Sequence, residues 1–94
     1  MIVSFRSDET ERIWNGLYSR RLPPDIQASA LRKLRLINAA RRIDDRRVPP
    51  GNRLEALKGD RSGQWSIRIN NQWRICFRWN EGGAEDVVIV DYHG

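Results

Sequence analysis

Ninety-four residues suffice for one small domain around a single core, 1–94. A hydrophobic content of 39% and a mean hydropathy of −0.68 leave no apolar run long enough for a membrane-spanning helix, and a lone cysteine, Cys76, rules out an internal disulfide. Seventeen Lys and Arg stand against twelve Asp and Glu, so the net charge is +5, which points to a polyanionic partner or to a solvated basic surface.

Fifteen of the seventeen cations are arginine, whose planar fork grips phosphate through paired hydrogen bonds and stacks on bases. The opening MIVSFRSDE lacks a secretory-signal layout, and a single cysteine fits a cytoplasmic chain.

In chain order, Ile2–Phe5 reads as a short first strand. Ser7 or Asp8 offers a helix N-cap, and Asp8 with Glu11 has capping-box spacing. Ile13, Trp14, Leu17 and Tyr18 share one helical face, and Gly16 predicts a short helix. Arg20 to Pro24 is a connection, because proline is disfavoured inside helices. Asp25 is the expected cap of a second helix, in which Ile26, Ala30, Leu31, Leu34 and Ile37 keep the helical period and Arg32, Lys33, Arg35, Arg41 and Arg42 decorate the rest. The two helices are expected to form an antiparallel hairpin. Asp44 to Arg53 is irregular and dense in turn formers, and Leu54 to Gly59 is a short helical turn or strand.

The C-terminal third alternates with period two. Trp65, Ile67 and Ile69 interleave with Ser66, Arg68 and Asn70, and Trp73, Ile75, Phe77 and Trp79 interleave with Arg74, Cys76 and Arg78. A two-residue turn would mix these faces. A three-residue loop, Asn70 to Gln72, aligns them by pairing Ile67 with Ile75, and it sets Arg68 opposite Arg74. Like charges so placed are unfavourable unless an anion bridges them. Val87 to Tyr92 is apolar on both faces until Asp91, as an interior strand should be, and the loop Asn80 to Gly83 returns it antiparallel. Arg68, Arg74, Asp91, Tyr92 and His93 then meet at one end of the sheet, with the face of Tyr92 left open.

That cluster has the parts for cutting RNA without a metal. The reaction needs a base for the 2′-hydroxyl proton, cations for the charge on the phosphorane and an acid for the leaving 5′-oxygen. His93, the only histidine, can be base or acid, and Asp91 can orient it. Arg74 and Arg68 can hold the phosphorane, Tyr92 can stack on a base or share the acid role, and Lys58 and Arg61 flank Gly59 within reach. Each has a plainer reading. His93 can be a solvated end residue, Tyr92 a lid on the core, and Arg68 and Arg74 a solvated sheet face. Trp65, Trp73 and Trp79 read as core and Cys76 as a buried inert thiol. One histidine with one cysteine argues against zinc, and Lys58-Gly59-Asp60 lacks the order of a phosphate-binding loop.

The run from Pro49 to Arg68, then Asn71-Gln72-Trp73-Arg74-Ile75-Cys76-Phe77, then Val90-Asp91-Tyr92-His93, resembles the HigB toxins of the RelE/ParE superfamily. The resemblance covers nearly the whole chain. It implies an α+β fold, a helical hairpin on a curved, mainly antiparallel sheet. It also implies a cytoplasmic mRNA endoribonuclease acting in the 30S ribosomal A site without cofactor or metal, and a HigA-like helix-turn-helix antitoxin as partner. Carried over by residue, Arg74 takes the phosphate-stabilising role, Asp91, Tyr92 and His93 match the catalytic ending, and Lys58 and Arg61 match basic positions beside the cleft. Some members carry histidine where this chain has Glu55; where that histidine helps catalysis, the resemblance implies either that Glu55 substitutes as a carboxylate base or that activity here is weaker. Two rivals stand beside this reading: a ParE-like inhibitor of DNA gyrase, and a basic RNA-binding module without catalysis.

Overall fold

The computed structural model describes residues 1–43, 54–61 and 63–92. Among the described residues two α-helices, α1 (Asp8–Trp14) and α2 (Pro24–Ala39), precede four strands: β1 (Glu55–Ala56), β2 (Gln64–Arg68), β3 (Trp73–Asn80) and β4 (Gly83–Asp91). The strands form one antiparallel sheet in the order β1-β2-β3-β4, so the architecture is the expected α+β one. The turn-rich run 44–53 and His93 lie outside the described residues.

Helix α1 starts where Ser7 caps it, accepting from Thr10 N. It stops because Gly16, at φ +78°, closes the last turn, with Gly16 N bonded to Ile13 O and Leu17 N to Arg12 O. Helix α2 corrects one expectation. Asp25 lies inside its first turn and makes no cap; the cap position is Pro23, and Pro24 opens the helix. Proline suits that place because its missing N–H has no partner in a first turn anyway. Ile26, Ala30, Leu34 and Ile37 face inward as their spacing predicts.

The core lies between the helices and one face of the sheet, where Ile67, Ile75, Phe77, Val87 and Ile89 meet Ile13, Ile26, Ala30, Leu34 and Ile37. Trp65, Trp73 and Trp79 pack against its rim as half-buried rings. A buried hydroxyl also ties the layers, since Ile89 N donates to Thr10 Oγ1 at 3.0 Å.

The first strand is less than expected. Ile2 and Phe5 make only isolated parallel bridges, to Ala84 and Val87. These bridges cover the outer side of β4 and leave it interior, as its apolar composition requires. β4 is longer than Val87–Tyr92 because it begins at once after a tight turn with Glu81 and Gly82 both at positive φ. One extra residue in β4, opposite Phe77, makes a bulge at Asp86 (φ +54°), whose N–H is taken by Ser4 Oγ. No helix among the described residues is long and apolar enough to cross a membrane.

Candidate functional site

The face of the sheet turned away from the helices carries the polar set. The hairpin has the three-residue loop inferred from period two: Ile67 pairs with Ile75, Arg68 with Arg74, and Ile69 N bonds to Trp73 O. Asn70 shapes the loop, its side-chain oxygen accepting from Gln72 N and Trp73 N at 2.8 Å each. Arg68 donates to the Asn71 side chain in that loop.

Arg74 is the centre of this face. A strand arginine on a non-core face ordinarily extends into water, yet Arg74 is only 8% exposed. Its Nε donates to Ser66 Oγ at 2.8 Å, and one Nη lies 3.4 Å from Ser66 O. The same Nη is 3.8 Å from a Glu55 carboxylate oxygen, and the guanidinium carbon stands 5.5 Å from the centre of the Tyr92 ring. Two pairings explain this convergence. Glu55 is opposite Ser66 across β1 and β2, which brings the carboxylate into the neighbouring row. Arg74 is opposite Val90 across β3 and β4, so Tyr92, two residues on, returns to the face of Arg74. That answers the parity the sequence left open. Tyr92 is pinned by its backbone, whose N–H meets Gln72 O at 2.6 Å, and the residue is 45% exposed.

The remaining candidates fall around this centre. Asp91 pairs with Trp73 and so alternates to the opposite face; its carboxylate accepts from Gln72 Nε2 at 3.1 Å. It sits at the same sheet end as Arg74 without sharing its face. Lys58 is exposed, and it follows Leu57, whose N–H bonds to Gln64 O, so it stands at the end of β2 remote from Arg68. The Arg61 backbone closes the adjacent short 3-10 turn, Gly59–Arg61. Sequence reasoning missed Ser66 and Gln72. Ser66 was findable once the register was known, because it lies diagonal to Arg74 and on its face.

The electrostatics are those of a cationic rim. Lys33, half-buried on α2, has its pKa held below the ordinary lysine value, first by partial burial and then by repulsion from Arg32 and Arg68. The basic side of α2 and the arginine of β2 therefore share one field. The site thus offers a buried, pre-set guanidinium beside an exposed carboxylate and an exposed phenol. This is a set that can hold a phosphate and move protons next to it.

Comparison with known proteins gives a consistent picture. Residues 3–93 match the family model described as the RelE-like toxin of the type II toxin–antitoxin system HigB. The chain is 39% identical over 85 residues to toxin HigB-1 of Vibrio cholerae, covering 89% of this chain and 90% of that one. It is 46% identical over 41 residues to endoribonuclease HigB of Proteus vulgaris, or 44% of this chain and 45% of that one. Among solved structures, YafQ from E. coli superposes with a TM-score of 0.59 at 12% identity, over 98% of this chain and 94% of that one. The YoeB/ParE toxin from Agrobacterium tumefaciens superposes with a TM-score of 0.54 at 23% identity, over 95% and 96%. At these identities the two structures speak for the fold.

Proposed function

This chain belongs to the RelE-like HigB toxins of type II toxin–antitoxin systems, and we propose that it acts as a metal-independent endoribonuclease on messenger RNA in the cytoplasm. As a type II toxin it has a cognate antitoxin. A HigA-like helix-turn-helix protein as that antitoxin, and the ribosomal A site as the place of cleavage, complete the proposal. The endoribonuclease name of the Proteus relative supports the activity.

One observation carries the reading: Arg74 is buried, fixed and bordered by Glu55 and Tyr92. In the reaction a base takes the 2′-hydroxyl proton, and the 2′-oxygen attacks phosphorus. The bond from phosphorus to the 5′-oxygen breaks, and an acid protonates that oxygen. The products are a 2′,3′-cyclic phosphate and a 5′-hydroxyl. Arg74 stabilises the phosphorane, where charge is greatest. Glu55 or His93 is the base, and Tyr92 stacks on the base beside the scissile bond or shares the acid role. His93 is proposed because an imidazole can both take and give a proton, and because it follows Tyr92 in the chain. Asp91, bonded to Gln72, steadies the tail from the other face. Arg68, Lys58 and Arg61 supply cationic contacts for the RNA backbone.

The test is primer extension of a reporter message after induction, beside capture by the antitoxin. Arg74→Ala and His93→Ala are each expected to abolish cleavage and relieve growth arrest while antitoxin capture persists. Unchanged cleavage in both variants would refute the site. DNA damage on induction without mRNA cuts would favour gyrase as the target. Purified toxin is expected to cut naked RNA poorly, because a flexible substrate is not positioned without the ribosome.

A further inference from the structure

We infer that Ser66 is the positioning residue for Arg74, holding the guanidinium by its Nε in the one orientation in which it meets the scissile phosphate. For its catalytic meaning this rests on the endoribonuclease reading above.

Arginine has several rotatable bonds, and an unanchored one spends much of its time away from any single geometry. Arg74 is anchored at the root of its fork. The Nε–H donates to Ser66 Oγ at 2.8 Å, and Ser66 is fully buried at 0% exposure. A hydrogen bond at Nε holds the last side-chain torsions in a way that a bond at a terminal nitrogen does not. The Nε–Nη2 edge, the usual grip on a carboxylate or phosphate, is thereby turned onto Ser66, whose carbonyl lies 3.4 Å from Nη2.

Ser66 also settles a like-charge problem. Arg68 and Arg74 are directly opposite each other, an arrangement that repels. Ser66 draws Arg74 inward along the sheet, while Asn71 draws Arg68 toward the hairpin loop. The two guanidiniums are parted, and only one is buried. Serine fits because its row is crowded on both sides, by Glu55 across β1 and by buried Cys76 across β3.

The test compares Ser66→Ala and the near-isosteric Ser66→Cys, whose sulfur is a weak acceptor. Three measurements are made: single-turnover cleavage on programmed ribosomes, affinity for a 2′-O-methyl message that cannot be cut, and the Arg74 Nε–H resonance in nitrogen-labelled protein. Misplacing the group should slow cleavage by about 10- to 100-fold. Affinity for the uncut message should stay within about twofold, since the contacts that bind are kept. The Nε–H resonance should shift and exchange faster with water. In an Arg74→Lys background, which has no Nε–H to hold, Ser66→Ala should add no further loss. Wild-type rates in both Ser66 variants, an unmoved resonance, or an equal loss in the lysine background would each overturn the assignment. If the wild-type chain cuts no RNA, the endoribonuclease reading fails, while the resonance still decides whether Ser66 holds Arg74.

Discussion

The two faces of the sheet are made by the same strands, yet they are built on opposite terms. Toward the helices, Ile67, Ile75, Val87 and Ile89 bury apolar surface that any well-shaped aliphatic set could supply. On the other face, Ser66, Arg74 and Cys76 are just as buried, but two of the three are polar. Burying a guanidinium costs free energy unless its hydrogen bonds are made, so the second face is a place where geometry is specified and not merely filled. The difference teaches where stability and chemistry should separate. Damage under the helices should unfold the chain, and damage around Arg74 should leave a folded, inactive one.

The sharpest way to break that division is Arg74→Lys. Lysine keeps the charge but has neither the fork nor the Nε donor. The expected loss is about a thousandfold in single-turnover cleavage, on the order of 4 kcal/mol of transition-state stabilisation. Antitoxin capture should persist, and the urea-derived stability should fall by about 1–2 kcal/mol, since lysine loses the bond to buried Ser66, which still leaves the chain folded. Near wild-type cleavage would show that charge alone is sufficient and that the anchored geometry is incidental. The counterpart is Leu34→Ala on α2, a position with 0% exposure against the sheet. It should lower unfolding free energy by about 3 kcal/mol, read from urea denaturation, because a buried cavity replaces the side chain. The folded fraction should cut RNA at the normal rate per molecule. A rate loss in the folded fraction would show that the two faces are coupled through the strands.

How far the sequence showed this division depends on the range of the interactions involved. Period two and the loop from Asn70 to Gln72 were enough to set Arg68 opposite Arg74, because hairpin register is a local property. The inward face of α2 was equally legible from its spacing. The face taken by Tyr92 was not, since it depends on where β4 pairs with β3 after a bulge that no local signal marks. The contact of Glu55 with Arg74 was hidden for the same reason: it arises only when a two-residue strand pairs with β2. Asp25 was misread because an acid near a helix start suits the cap and the first turn alike, and Pro24 decided between them.

A smaller effect probes the seam between the two regions. Thr10 Oγ1 is buried and accepts from Ile89 N, two residues before Asp91. Thr10→Val keeps the shape and removes the acceptor, leaving a buried N–H without its partner, at a cost of about 1–2 kcal/mol. Amide exchange at Ile89 should accelerate with the drop in stability. If exchange at Tyr92 accelerates too and cleavage slows, α1 helps to hold the catalytic tail; if only stability falls, the seam is structural.

The smallest expected effect comes from the pair that looks electrostatic but lies off the site. Arg78 Nε stands 3.7 Å from an Asp86 carboxylate oxygen, with both side chains about half exposed. Exposed pairs of this kind contribute little, because water screens the attraction and both chains lose rotamer freedom. Asp86 also holds the bulge at φ +54°, a conformation that asparagine tolerates well. Asp86→Asn therefore removes the charge and keeps the backbone preference, and Ser4 Oγ still accepts the backbone N–H. The urea-derived stability should change by less than about 0.5 kcal/mol, and by less still at high salt. Asp86→Ala, which loses the tolerance of positive φ as well, should cost more than Asp86→Asn. A large loss in the asparagine variant would place the ion pair, and not the bulge, as what sets the shift of β4 against β3, and with it the return of Tyr92 to the face of Arg74.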